Sequence, residues 1–281
     1  MQNFPPQHQP YQGREAEMNP KPVYDDPMYF GSGKLKDKVA IITGGDSGIG
    51  RAVAVAFAKE GADVAIAYLL ANADAEETKA AVEGYGRKCL NVRADLRSEQ
   101  SAQKVAADTM AAFSRIDILV NNIAMQMPQN SILDITAEQL EDTFKTNIFS
   151  YFYMTKAVLP HMQPGASIIN TTSITAYRGS EDLIDYSSTK GAIVSFTRSM
   201  SQSLLKNGIR VNAVAPGPVW TPLIPSSFSP EKVAEFGSSV PAQYAAQPFQ
   251  IAPTYVYLAA ESGSYVSGQV LHVNGGAVVE S

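Results

Sequence analysis

Tyr186 and Lys190 stand four residues apart in Y-S-S-T-K, and Ser173 lies thirteen residues before the tyrosine. If the segment is helical, residues i and i+4 share a face, so phenol and ammonium point into one site. An ammonium there favours the phenolate and is expected to draw the tyrosine pKa down from about 10. A tyrosine tuned in this way exchanges a proton near neutral pH. The pair by itself would equally suit a surface contact. What raises it above that is T-G-G-D-S-G-I-G, from Thr43 to Gly50. Glycines between a strand and a helix let backbone N–H groups approach a pyrophosphate at the helix N-terminus. The spacing is G-x-x-x-G-x-G, not the commoner G-x-G-x-x-G. A dinucleotide supplies hydride and the tyrosine a proton, which together reduce a carbonyl or oxidise an alcohol.

The elements that must position these residues follow from an alternating pattern. K-V-A-I-I-T from Lys38 reads as a buried strand, followed by an alanine-rich helix from Arg51 that stops at Gly61. A-D-V-A-I-A-Y, R-K-C-L-N-V-R-A-D, I-D-I-L-V-N-N, A-S-I-I-N-T-T-S, G-I-R-V-N-A-V-A and Q-V-L-H-V supply six more strands. Between them, helices are expected over 73–82, from a Ser98 cap to about Phe113, and from 185 to 206. Thr136 with Gln139 predicts a capping box for a long helix to about His161. Ser229-Pro230 reads as a cap and N1 proline that start another. Apolar strands alternating with helices predict an α/β fold: one doubly wound Rossmann domain with a seven-stranded parallel sheet covered on both faces.

The chain has 281 residues, 45% hydrophobic, with a net charge of −5. That length suits one large domain, and the charge gives no basic surface for nucleic acid. Cys89 is the single cysteine, so no intramolecular disulfide forms. The N-terminus has no basic region leading into an apolar stretch, and no apolar run reaches the ~20 residues of a membrane span. A cytoplasmic, non-membrane protein is expected. Residues 1–36 differ from the domain at 37–281: six prolines and several glutamines preclude regular structure. Two readings stay open for them, a disordered tail or an extended arm anchored by its aromatics. The three histidines have no metal-ligand spacing, so no metal site is expected.

These residues resemble the short-chain dehydrogenase/reductase family. The matching elements are T-G-G-D-S-G-I-G, A-D-L at 94, N-N-I-A at 121, Asn147, Ser173, Y-S-S-T-K and A-P-G-P-V-W-T at 215. The resemblance covers about residue 36 onward. The N-terminal extension and H-V-N-G-G look like the glucose/ribitol dehydrogenase homologues and general stress oxidoreductases of bacteria. It implies that Tyr186 is the general acid/base, with Lys190 tuning it and reaching the nicotinamide ribose. Ser173 would donate to the carbonyl oxygen, and Asn147 would hold a water behind Lys190. Cofactor contacts would come from Thr43, Gly44, Asp46, Ser47, Gly48, Ile49 and Gly50 in the loop. Tyr68 would face the ribose, and Asp95 and Leu96 the adenine. Asn122 and Ala124 would line the channel, and Pro216, Gly217, Val219 and Thr221 would wrap the nicotinamide and phosphates. One departure is N-N-I-A where the family has N-N-A-G, which is expected to shift the backbone slightly.

An acid at the end of the second strand would exclude a 2′-phosphate. Tyr68-Leu69 stands there, with neither acid nor arginine, so the cofactor is NAD or NADP. The implied reaction is on a small alcohol/carbonyl pair. A 3-oxoacyl-thioester reductase and a sugar or polyol dehydrogenase are the rival enzymes, and a nucleotide-binding regulatory protein is the non-enzymatic rival. Two helices apolar on more than one face, with the family resemblance, imply a homotetramer.

Overall fold

A computed structural model describes residues 4–279. Seven strands form one parallel sheet in the order β3-β2-β1-β4-β5-β6-β7. They are β1 (Val39–Thr43), β2 (Asp63–Tyr68), β3 (Cys89–Arg93), β4 (Ile118–Asn121), β5 (Ser167–Thr171), β6 (Arg210–Pro216) and β7 (Val270–Val273). Strand order reverses between β1 and β4, which opens a crevice at the carboxyl ends of the strands.

Alternation of side chains divides the core in two. Ala40, Ile42, Val64 and Ile66 pack on one face of the sheet, while Ile41, Ala65 and Ala67 pack on the other. The first face is covered by α1 (Gly48–Lys59), α2 (Asn72–Gly84) and α10 (Pro248–Ala259). The second is covered by α3 (Glu99–Phe113), α5 (Ser150–Val158) and the end of α7 (Ile184–Leu204). Helix α10 was not among the helices expected from the sequence. Pro253 and the flanking prolines hid its pattern, yet Gln247 and Gln250 form a capping box at its start and it packs along α1.

The long helix expected to run to His161 is broken into α4 (Ala137–Phe144), a π-helical turn (Lys145–Phe149) and α5. The expected capping box is half formed. Thr136 accepts from the Gln139 N–H at 3.1 Å, but the Gln139 amide turns away, to the Met127 carbonyl and the Asp185 carboxylate. Ser98 stands at the cap of α3 without a side-chain bond to it. Three short helices, α6 (Thr175–Arg178), α8 (Leu223–Ser227) and α9 (Pro230–Ala234), border the crevice. Among the described residues no helix is long and apolar enough to cross a membrane.

The proline-rich segment lies on its own domain. Phe4 is buried and stacks on Trp220 with ring centroids 3.8 Å apart. The Trp220 indole donates to the Pro20 carbonyl at 2.8 Å. Glu15 is buried at the N-terminus of α1, where its carboxylate meets Arg51 at 2.7 Å. Aromatic and ionic anchors therefore do what helix or sheet could not do in a sequence this rich in proline.

Candidate active site

The turns after the first six strands, β1 to β6, meet at one cleft of about 1150 Å³. That exceeds the roughly 300–1,000 Å³ usual for a small-molecule site, so there is room for two ligands end to end. The glycine loop forms its floor. Gly44 and Gly48 have φ of +64° and +51°, values that L side chains avoid. A Cβ on Gly50 would stand 1.9 Å from the Gly44 carbonyl oxygen, so the loop can turn this tightly only with glycine there. The Asp46 carbonyl accepts from Arg51 and Thr78, which pins the loop from beneath.

Gly44, Asp46, Ser47, Gly48 and Ile49 line the cleft, as do Tyr68, Asp95 and Leu96 at one end. Asn122 and Ala124 line its middle, and Pro216, Gly217, Val219 and Thr221 the far wall. Ser173, Tyr186 and Lys190 face the same space. Three residues expected at the site sit behind its wall. Gly50 only permits the turn. Thr43 is buried, its hydroxyl accepting from the N–H groups of Asn122 and Ile123 at 2.9 and 3.1 Å. Asn147 is fully buried in the π turn.

Asn147 links two parts of the site. Its Oδ1 accepts from the Met125 N–H at 2.7 Å, and its Nδ2 donates to the Met125 carbonyl and to Thr189 Oγ1 at 2.9 and 3.1 Å. Thr189 in turn donates to the Tyr186 carbonyl at 2.6 Å. The extra residue of a π turn re-aims one side chain, and here that side chain joins the loop after β4 to the helix bearing Tyr186. Asp185 was not foreseen. It is buried, accepts from the Tyr186 N–H at 2.8 Å and from Thr143 at 2.8 Å, and so fixes the start of α7.

The tyrosine and lysine share a face as expected, but the electrostatics differ from the expectation. Lys190 Nζ lies 5.3 Å from the Tyr186 ring centroid and donates to the Thr171 carbonyl at 2.9 Å. Burial pushes the Tyr186 phenol up to about 12, with the Ser173 hydroxyl working against it. Burial pushes the Lys190 ammonium down to about 7. The predicted fall in the tyrosine pKa is therefore not present in this state. Both groups are out of water, the ammonium bonds a carbonyl, and desolvation of each charged form outweighs their attraction.

The lysine carries a pH signature. Its folded value lies below the ordinary 10.5, so between about pH 7 and 10.5 the unfolded chain binds the additional proton. Stability of the ligand-free protein is expected to gain from Lys190 as pH rises through that window. Urea midpoints of wild type and Lys190→Met at its two ends measure this: the variant should lose the rise. An equal slope in both proteins would mean that Lys190 stays charged when buried.

The cleft suits a dinucleotide on two further observations. Ser47, Gly48 and Ile49 at the N-terminus of α1 line it, at a helix end where a carboxylate already sits: Glu15 Oε2 accepts from the Gly48 N–H at 2.6 Å. Gln126, just after β4, is 5% exposed, lines the cleft and has an Nε2 without a partner. A buried amide left unpaired is costly and marks a place for a ligand oxygen. Gly50→Ala tests the floor. The added methyl must displace the Gly44 carbonyl and with it the loop, which is expected to weaken NADH or NADPH binding by about tenfold. An unchanged Kd by fluorescence titration would put the dinucleotide elsewhere.

A family model described as enoyl-(acyl carrier protein) reductase matches residues 44–278. The chain is 56% identical over 267 residues to general stress protein 39 of Bacillus subtilis, covering 95% of this chain and 93% of that one. It is 51% identical to glucose and ribitol dehydrogenase of Daucus carota (98% and 97% covered). It is 49% identical to the chloroplastic NADPH-dependent aldehyde reductase 1 of Arabidopsis thaliana (96% and 96%). A short chain dehydrogenase from Burkholderia cenocepacia, solved in complex with NADP, superposes with a TM-score of 0.81 at 29% identity. That match covers 86% of this chain and 98% of the other.

Proposed function

The chain belongs to the short-chain dehydrogenase/reductase family of oxidoreductases, and from that premise we propose that it interconverts a carbonyl and an alcohol with NAD or NADP. The observation that carries the reading is convergence: Ser173, Tyr186 and Lys190 face the cleft whose floor is the glycine loop. The nicotinamide cofactor, when bound, supplies or takes the hydride. Tyr186 exchanges the proton at the substrate oxygen. Ser173 donates to that oxygen where negative charge develops. Lys190 holds the far edge through its bond to Thr171, and Asn147 keeps the loop after β4 in register with α7.

Burial keeps the Tyr186 phenol protonated at neutral pH, the form from which reduction of an aldehyde or ketone starts. The aldehyde reductase relative supports the same substrate class. The unpartnered Gln126 amide favours a substrate with a second oxygen near the carbonyl, as in a hydroxyaldehyde or an open-chain sugar, and it keeps the sugar or polyol reading alongside. The deciding assay follows the near-ultraviolet absorbance of NADH and NADPH with a panel of aldehydes, ketones, sugars and polyols. No turnover on any of them, with both cofactors bound, would refute the reading.

Assembly belongs to the same proposal. Phe149 and Phe152 on the α4–α5 side are 42% and 47% exposed, and Phe152 touches Phe196 of α7 with centroids 4.4 Å apart. Such a face suits a second copy of the chain, and a homotetramer acting in the cytoplasm is the proposed form. A monomeric mass by light scattering at micromolar concentration would overturn the assembly.

A further inference from the structure

The N-terminal arm crosses the adenosine end of the cleft. Tyr11, Gln12, Gly13 and Arg14 line the same cavity as Tyr68 and Asp95. The crossing is anchored on both sides. At one end, the Gln9 N–H donates to the Pro225 carbonyl at 2.8 Å. At the other, the Glu15 N–H donates to the Asp74 carboxylate at 3.0 Å, at the start of α2, and Glu15 Oε2 accepts from the Gly48 N–H at 2.6 Å. Between these ends the chain is locked by Gln9, whose Oε1 accepts from the Arg14 N–H at 2.5 Å and whose Nε2 donates to the Arg14 carbonyl at 3.1 Å. Arg14 is therefore fixed at its backbone one residue from the Glu15–Asp74 contact, and it lines the cavity together with Leu69, Leu70 and Ala71 of the β2–α2 turn, where a ribose 2′ substituent lies in this fold class.

Two of the other arginines at that end are committed, and the third lies outside the cavity. Arg97 is held bidentately by Asp95, at 2.8 and 3.1 Å, and by Asp142 at 3.1 Å. Arg51 is buried among Glu15, Asp74 and Glu77. Arg93 donates its Nε to the Leu69 carbonyl at 3.0 Å and does not line the cavity. Arg14 and Arg93 are the loosely held pair of the four, and of these Arg14 lines the cavity: 71% of its side chain is exposed, and its partner is Glu17, itself 52% exposed, at 3.3 Å. An exposed pair of this kind is weak and screened by salt. A phosphate offers a guanidinium two acceptor oxygens and more charge than a carboxylate.

Resting on the reading of the cleft as a dinucleotide site, we propose that Arg14 of the arm is the residue that selects NADP. It would leave Glu17 and clasp the 2′-phosphate from above, supplying the cation that Tyr68-Leu69 lacks. The device sits outside the glycine motif and outside the strand end where such selectivity is ordinarily read.

Fluorescence titration of NADPH and NADH tests it. Wild type is expected to bind NADPH the more tightly. Arg14→Ala should raise the NADPH Kd by about tenfold or more, the scale of one charge-assisted contact, with the NADH Kd changed by less than about twofold. The dependence of NADPH binding on salt should weaken in the variant. Glu17→Gln should tighten NADPH by freeing Arg14, and Arg93→Ala should leave both constants alone. Equal effects of Arg14→Ala on the two cofactors, a loss on Arg93→Ala instead, or wild-type preference for NADH would each overturn the assignment while leaving a dinucleotide enzyme in place. Wild type that binds neither cofactor would instead refute the functional reading itself.

Discussion

Tyr186→Phe is expected to lower turnover by at least about 10²-fold, the lower end for a general acid–base group, with the Kd for either cofactor nearly unchanged. That loss is about 2.7 kcal/mol of transition-state stabilisation. The substitution removes one oxygen from a ring that is 8% exposed, so packing and the glycine loop remain. Ser173 survives as the remaining donor at the substrate oxygen, which is why a residual rate is expected rather than none. Direction also matters. Burial holds the phenol near 12, so reduction starts from the stored proton, whereas oxidation needs the phenolate and should accelerate as pH rises. Near-normal turnover in the variant, in either direction, would remove Tyr186 from the chemistry and leave Ser173 or a water as the proton source.

Much of this site was legible because its signals are local. Strand alternation, the turn glycines and the i,i+4 pair each depend on residues close in sequence. The misses share one cause, which is distance in sequence. Helix propensity foretold a continuous helix through Asn147. The π turn exists because its amide must reach both Met125 and Thr189. The phenol was expected to titrate low because a lysine stands one turn away. That inference left out burial, which raises the phenol and lowers the ammonium, and the Thr171 carbonyl nineteen residues upstream that accepts from the Lys190 Nζ. The capping-box rule placed the Gln139 side chain on its own helix start, yet its Oε1 accepts from Gln129 Nε2 at 2.6 Å and its Nε2 donates to the buried Asp185 forty-six residues on. The arm was ambiguous for the same reason. Composition shows that residues 1–36 cannot form regular structure, but not that Phe4 finds Trp220 or that Glu15 finds Arg51.

The Glu15–Arg51 contact gives the arm its largest expected energetic effect. Arg51 is 1% exposed at its side chain and Glu15 3%. Burial pushes the Glu15 carboxyl up to about 7, while Arg51 and the Gly48 N–H pull it down. Its two oxygens accept separately, from Arg51 Nη1 at 2.7 Å and from the Gly48 N–H at 2.6 Å, and the carboxylate serves both donors at once. Such a pair contributes little over a well-packed apolar substitute, yet removing one half leaves the other charge stranded, typically at a cost of 3–5 kcal/mol. Arg51 would keep Glu77 at 3.2 Å and Asp74 at 3.7 Å, and the Tyr24 ring 5.2 Å from its guanidinium carbon. Glu15→Ala should therefore fall at the lower end, about 3 kcal/mol of unfolding free energy, read as a shift of the urea midpoint at constant slope. Deleting residues 1–30 should lose at least as much, because Phe4 and Tyr24 leave with Glu15. If the truncated protein melts where the full chain does, the arm is a tail with no part in stability, and the buried contact at the glycine loop is not maintained in solution.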